Sequence, residues 1–234
     1  PHLHSTTNEH VSKGIAGMIL VKDQDEAALT LPRDYGVDDF PIIVQTKGFD
    51  ASGQIEWMSE LDTALMVNGT IDPYLDAPAQ VIRLRLLNGS SQRVYKFGFS
   101  NNTSFQLIGT DGGLLEAPVT LTRYQMAPGQ RADILIDLSG MQGQNIQLMN
   151  YGTEIANAIY GSSQPGMMPQ LTLPGYDSNP LNGADFTVLD LQIGAPTANA
   201  VTTIPTSLIT HVIPQDGTQD ITRQLTFNTQ QNIV

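Results

Sequence analysis

Cysteine is absent from the 234-residue chain. The chain therefore forms no disulfide bond, and it cannot by itself build a blue-copper site, which needs a cysteine thiolate as a ligand. Because an exported bacterial protein need not contain cysteine, this absence leaves the cellular compartment open.

Positive charge is also scarce, since 11 Lys and Arg stand against 23 Asp and Glu, for a net charge of −12 at pH 7. Nucleic acids and anionic membrane surfaces are recognised through basic patches, so the composition argues against both as partners. No run of about 18 apolar residues is present, so no segment is expected to span a membrane as a helix. No basic and then apolar segment opens the chain, so a signal peptide is either absent or already removed.

Long helical patterns are missing as well, and the 21 Gly and 14 Pro would interrupt most helices. Short apolar runs bounded by Gly, Pro, Asn or Asp recur instead, which is typical of an all-β sandwich or Greek-key barrel. We expect less than about a tenth of the residues to be helical. The predicted strands cover residues 15–21, 41–45, 81–87, 94–99, 104–108, 132–138, 145–149 and 186–193, with turns at Asn68-Gly69, Asn88-Gly89 and Asp111-Gly112-Gly113.

Two changes in composition predict the domain organisation. Residues 22–39 are charged and turn-rich, with Leu31-Pro32-Arg33 at their centre, and residues 194–220 are rich in Thr, Pro and Ala. We interpret the first as an interdomain crossing and the second as a linker, followed by a new strand signal at residues 221–228. The chain is then a tail and crossing (1–35), a complete β domain (36–195), a linker (196–219) and the first strand of another domain (220–234), as if taken from a longer protein.

Two histidines lie close together near the amino terminus, in His2-Leu3-His4. In a β-strand, residues i and i+2 share a face and lie about 6.6–6.8 Å apart. Two neutral imidazoles on one face suit a pair or cluster of transition-metal ions. We therefore predict that His2 and His4 are metal ligands on one face of a strand or strand end.

Other groups that could carry chemistry have simpler explanations. His10 is expected to be solvated in a turn, and His211 is expected to be structural or exposed. Met167-Met168 could bind Cu(I) weakly, whereas Met126, Met141 and Met149 are better explained as core residues. Serine and histidine never stand in a G-x-S-x-G or triad pattern, so nothing points to a hydrolase. A charged interdomain turn explains the acidic residues Asp23, Asp25, Glu26, Asp34, Asp38 and Asp39 without a metal.

The turn Asp111-Gly112-Gly113 could suggest a cradle for a phosphate or an oxyanion. Such a cradle needs a following helix that carries Lys or Ser/Thr, and none is indicated here. A tight β-turn with glycine at positive φ explains the motif better.

His2-Leu3-His4 is followed by Gly14-Ile15-Ala16-Gly17 and then by the motif-rich residues 31–45. The first two motifs resemble the end of the first cupredoxin domain, and residues 31–45 resemble the entry to the second, in three-domain multicopper oxidases of the bacterial laccase and cuprous-oxidase branch. The likeness covers residues 1 to about 195. The remaining motifs follow in the family's order: Asn68-Gly69 with Pro73, then residues 83–89, 109–115 and 128–133.

This resemblance implies an all-β, cupredoxin-like Greek-key fold and a copper enzyme. Such oxidases take single electrons from phenols, amines or metal ions and reduce O₂ to water at a trinuclear copper cluster. His2 and His4 match the histidine pair that binds the two type 3 coppers. The implied partners are cupredoxin domains 1 and 3 of the same parent, O₂ and a small reducing substrate, and the implied location is the periplasm or outside the cell.

The departures from the family pattern leave alternatives open. The other H-x-H pairs and the H-C-H segment are not in this chain, so we expect the chain alone to be inactive. Ser5 stands where a glycine is frequent.

The rival interpretation is a copper-free, multicopper-oxidase-like scaffold or division-related protein, although retention of His2 and His4 favours the oxidase. A third is a stand-alone two-sheet binding module whose terminal histidines are incidental. An H-C-H segment in the parent would decide between oxidase and scaffold.

Overall fold

Two β-sheets packed face to face form the body of the computed structural model, which describes residues 3–57, 59, 61–166, 176, 178–211 and 224. Two short α-helices precede the strands, and a 3₁₀ turn, Gly152–Glu154, follows the eleventh. The helices are α1 (Thr7–Ser12) and α2 (Gln24–Ala28). The strands are β1 (Asp39–Lys47), β2 (Ala64–Val67), β3 (Thr70–Ile71), β4 (Tyr74–Pro78), β5 (Val81–Asn88), β6 (Tyr95–Phe99), β7 (Phe105–Thr110), β8 (Gly113–Leu121), β9 (Tyr124–Met126), β10 (Arg131–Asp137), β11 (Asn145–Tyr151) and β12 (Asp185–Gly194).

The seven-stranded sheet has the order β3-β2-β1-β5-β10-β7-β8, and the five-stranded sheet has the order β4-β12-β11-β6-β9. Strand pairs β1/β5 and β4/β12 are parallel, and the other pairs are antiparallel. Short hairpins join several neighbours. Asn68 and Gly69, at φ 50° and 81°, form the two-residue turn between β2 and β3, because both positions need the left-handed region. The predicted all-β sandwich and turn are confirmed.

The main core lies between the sheets. On β5, Ile82, Leu84 and Leu86 point into it, and Phe97 and Phe99 approach from β6. All of these side chains are buried because alternate residues of a strand face the same side.

The outer face of the seven-stranded sheet is also covered. Val81 of β5 and Leu135 of β10 pack there against Leu31, from the segment before β1, and Leu208, from the segment after β12. The Val81 amide donates a hydrogen bond to the Val201 carbonyl over 2.9 Å. The segments that precede β1 and follow β12 in the sequence thus both pack on the outer face of the seven-stranded sheet.

Several predicted elements differ from the structure. Seven of the eight predicted strands are present, but residues 15–21 form no strand. Their burial alternates as in a strand, but no described strand is hydrogen-bonded to them. The predicted turn at residues 22–39 contains α2, whose amino end the Asp23 carboxylate caps through the Glu26 amide. The short strands β2, β3, β4 and β9 and the long β8 were not predicted. The strand signal at 221–228 lies outside the described residues, except for Gln224.

Leu84→Ala should lower the free energy of unfolding by about 2–5 kcal/mol, because it leaves a cavity in the core between two sheets. Ile71→Ala, at a position that is 53% exposed on the edge strand β3, is the control. It should change stability by no more than about 0.5 kcal/mol. Urea unfolding of both variants measures the difference, and equal losses would contradict the described core.

Candidate functional site

His4 lies in an exposed turn immediately before α1. Its ring Nδ1 is 3.0 Å from the Ser5 hydroxyl, and Ser5 itself has φ 69°. The Leu3 carbonyl accepts hydrogen bonds from the Thr6 amide over 3.2 Å and the Thr7 hydroxyl over 2.9 Å. These bonds turn the chain into a helix, so the predicted strand geometry is wrong for His4. His2 lies outside the described residues, and the pairing of the two rings stays a prediction.

The imidazole of His4 is suited to a metal that is completed by other ligands. Its Nδ1 is within hydrogen-bond distance of the Ser5 hydroxyl, and in the tautomer in which Nδ1–H donates to that hydroxyl, Nε2 carries the lone pair that a metal needs. Imidazole is a donor that copper binds well. Among the residues that the structure describes, no three or more His, Cys, Asp or Glu side chains form a group that could hold a metal ion. Imidazole donors such as His2 and His4 fit part of a copper site, and their role as ligands stays a prediction.

Sequence reasoning missed Lys47, a buried cation at the end of β1. Its side-chain Nζ donates to the carbonyl oxygens of Val11 over 2.7 Å and Ser12 over 2.8 Å, at the end of α1. Burial lowers the pKa of Lys47 to about 8, and the Asp62 carboxylate acts in the opposite direction. Lys47 lies on the outer face of β1, on the same side as Gln45 two places before it, and the sequence pattern did not indicate that this position is buried.

The acidic residues of the crossing bind arginines and backbone amides. The Arg83 side chain donates to Glu26 of α2 over 2.7 Å and to Asp133 of β10 over 2.9 Å, and Arg85 donates to Asp39 over 2.7 Å. We call these five residues the ion-pair network. It joins α2 to the outer face of the seven-stranded sheet. Arg83 is 1% exposed, so its positive charge depends on both carboxylates.

Asp38, another acidic residue of the crossing, also has structural partners. Asp38 accepts hydrogen bonds from the Asp34 amide over 2.8 Å and from the Gln80 side chain over 3.2 Å, and burial raises its pKa. Asp25 and Asp34 have exposed side chains.

A second buried arginine was also missed. Arg93 donates through Nε to Asp62 over 3.1 Å, and Asp62 also accepts from Thr46 over 2.5 Å and from Asn179 over 2.6 Å. These bonds tie the loop before β2 to β1 and to the loop before β12. The arrangement is a structural anchor, because its charges are paired and buried.

The remaining candidates from the sequence have ordinary positions. Asp111 begins the turn between β7 and β8 and accepts from the Arg131 amide over 2.8 Å, and Gly113 has φ 103°, as a tight turn requires. His10 lies half-buried within α1, which continues through Ser12, so the turn expected for it is wrong. His211 is exposed.

The methionines divide between the core and the undescribed part of the chain. Met126 is fully buried in the main core, and Met141 packs against the same core. Met149 lies half-buried on β11, where its sulfur is 3.5 Å from the Thr187 hydroxyl. Met167-Met168 lie outside the described residues. In the described part of the chain, no helix is long and apolar enough to cross a membrane.

Comparison with known proteins defines the class. A family model described as multicopper oxidase matches residues 49–159. The chain is similar to the multicopper oxidase McoA of Aquifex aeolicus, with a TM-score of 0.72 at 32% identity over 94% of this chain and 45% of that one. It is similar to the laccase-like multicopper oxidase CueO of an Ochrobactrum species, with a TM-score of 0.70 at 27% identity over 92% and 44% of the two chains. The chain thus carries a multicopper oxidase-like domain with a cupredoxin fold.

The curated relatives carry a different name. Cell division protein FtsP of Xenorhabdus nematophila is 42% identical over 145 residues, which are 60% of this chain and 31% of that protein. FtsP of Shigella dysenteriae is 36% identical over 173 residues, which are 71% of this chain and 36% of that protein. The chain spans about a third of the length of the curated relatives that it matches.

Arg83→Leu should destabilise the protein by about 3–5 kcal/mol, because it removes the buried cation that pairs most closely with the Glu26 and Asp133 carboxylates. Only longer pairs remain, from Arg33 to Glu26 over 3.6 Å and from Arg85 to Asp133 over 3.3 Å. Arg131→Leu, which breaks an exposed pair with Asp111, should cost less than about 1 kcal/mol. Urea unfolding at neutral pH measures both. A cost for Arg83→Leu as small as that for Arg131→Leu would mean that the ion-pair network does not hold α2 in place.

Proposed function

We propose that this chain is the central part of a laccase-like multicopper oxidase. The whole protein would couple one-electron oxidation of phenols, amines or metal ions to the four-electron reduction of O₂ to water, in the periplasm or outside the cell. The observation that carries the proposal is the pair His2 and His4. In the sequence the pair precedes a domain that is similar to that of laccase-like oxidases.

The exposed apolar face of residues 15–21 supports a preceding domain. Ile15, Ile19 and Val21 are 55%, 94% and 85% exposed, while Ala16 and Leu20 between them face the sandwich and are half-buried. A row of apolar side chains on one face of an extended segment indicates a surface that another β-sheet covers. We assign residues 1–35 to the end of domain 1 and its crossing, 36–195 to domain 2, 196–219 to a linker and 220–234 to the start of domain 3.

Domain 2 acts in this proposal as a spacer without copper. Its buried arginines are paired with carboxylates of the sandwich and of α2, and segments on both sides of it pack on one face of the seven-stranded sheet. It thereby holds the flanking domains at a fixed separation. The type 1 copper and the remaining cluster ligands would come from domains 1 and 3.

His2 and His4 would hold the type 3 copper pair, one ring on each ion. Copper in such a site supplies one-electron transfer and the reduction of O₂. The Ser5 hydroxyl would orient the exposed His4 ring through Nδ1, so that Nε2 would be the atom that holds the copper.

A scaffold without copper is the second candidate, and the similarity to FtsP favours it. The FtsP relatives are up to 44% identical, whereas McoA is 32% identical. In that case the domain would support protein binding in cell division, and the two histidines would be incidental. The H-C-H segment that supplies a type 1 cysteine distinguishes the two parents.

His4→Ala in the full-length protein should remove copper from the type 3 pair and abolish O₂ uptake, because one of the two ions loses its ligand from this chain. The blue type 1 copper should remain. His211→Ala, which changes an exposed histidine in the segment after β12, is the matched control and should retain full copper and activity. Metal analysis and O₂ uptake measure both variants.

Wild-type O₂ uptake in the His4→Ala protein would exclude His4 as a ligand of the cluster. A wild-type full-length protein that takes up no copper would favour the scaffold over the oxidase.

A further inference from the structure

Lys47 places a positive charge where the β-sandwich meets the amino-terminal residues. The side chain is 3% exposed, and its ammonium donates to the carbonyl oxygens of Val11 and Ser12 over 2.7 and 2.8 Å. Carbonyl groups in the last turn of a helix lack partners within the helix. The ammonium supplies a donor to the Ser12 carbonyl and a second donor to the Val11 carbonyl, which also accepts from the Gly14 amide over 3.0 Å. Both are charge-assisted hydrogen bonds, which are stronger than neutral ones.

Helix α1 follows directly on the turn that contains His4. The Leu3 carbonyl is capped by Thr6 and Thr7, and the His10 amide donates to the Thr6 carbonyl over 3.0 Å. Residues 3–14 thus form one hydrogen-bonded segment, which we call the amino-terminal unit. Strand β1, which carries Lys47, is hydrogen-bonded to both β2 and β5. Lys47 therefore joins the amino-terminal unit to the sandwich.

We propose that Lys47 is a positioning residue for the copper site, because it fixes the amino-terminal unit against the sandwich and so sets where His4 stands. This inference rests on the proposed function. Lys47 itself touches no copper, and it acts through Val11, Ser12 and the helix that they end.

The cost of the buried charge supports this role. Desolvation makes the ammonium unfavourable in the fold, as the lowered pKa of Lys47 indicates. An uncharged chain of similar length would fill the same space and would avoid the desolvation cost of the ammonium, but it would lose the hydrogen bonds to the Val11 and Ser12 carbonyls. The ammonium thus serves the attachment of α1 more than the stability of the sandwich.

The test compares Lys47→Met with Lys22→Met, a change at an exposed lysine of the crossing, in the full-length copper-loaded protein. Hydrogen exchange reports the attachment directly. The amides of Lys13, Gly14 and Ile15, which close the end of α1, should exchange about tenfold faster in Lys47→Met. Amides of β5 and β10 should keep their protection, and the melting temperature should not fall. Lys22→Met should match the wild type.

Copper content reports the consequence for the site. Lys47→Met should lose type 3 copper during dialysis about tenfold faster than the wild type and retain its blue type 1 copper, because the ligand is no longer held in place. Lys47→Arg keeps a cation at this position and should retain more copper than Lys47→Met. If Lys47→Met unfolds, Lys47→Arg and Lys22→Met are compared by the same two measurements.

The outcomes separate this inference from the proposed function. Unchanged exchange at residues 13–15 in Lys47→Met overturns the inference, whatever the copper content. Faster exchange with wild-type copper retention also overturns it, provided that His4→Ala loses copper. If His4→Ala retains its copper, the proposed function fails, and the positioning role fails with it.

Discussion

Burial of strand β5 on both faces is the constraint on which the rest of the structure depends. One face, with Ile82, Leu84 and Leu86, fills the core between the sheets. The other face carries Val81, which packs against apolar neighbours, and Arg83 and Arg85. The charges of the two arginines need acidic partners, because burial of an unpaired charge is costly. The two arginines are each paired to carboxylates on neighbouring elements, and Val81 is covered by the segments that precede and follow the sandwich. The outer face of the sheet thus fixes where the chain enters and leaves the domain.

The amino-terminal residues are also held by a buried charge of the sheet. Lys47 is buried at the end of β1, and its charge is satisfied by carbonyls at the end of α1. Arg83 likewise donates a hydrogen bond to Glu26 in α2. Two buried cations of the sheet therefore hold two short helices, neither of which is long enough to be stable alone. Stability of the sandwich and placement of its flanking segments are coupled through these charges.

Much of the sandwich could be predicted from the sequence, because strands such as β5, β10 and β12 alternate or run apolar between clear turn signals. The two-residue strand β3 and the three-residue strand β9 could not, since so few residues show no period. The sequence indicated that His4 is a candidate ligand, but it did not predict that His4 lies in a turn. That turn depends on the positive φ of Ser5 and on the hydrogen bond from the Thr7 hydroxyl to the Leu3 carbonyl. Lys47 and Arg83 were missed because a cation's partners lie far away in sequence, and spacing alone does not reveal them.

The most direct test of the central claim is a crystal structure of the full-length protein, loaded with copper, with anomalous diffraction recorded at the copper edge. The account predicts two anomalous peaks beside the amino-terminal unit, one bonded to a ring nitrogen of His2 and the other to a ring nitrogen of His4. Copper-saturated crystals without anomalous density at either histidine would contradict it.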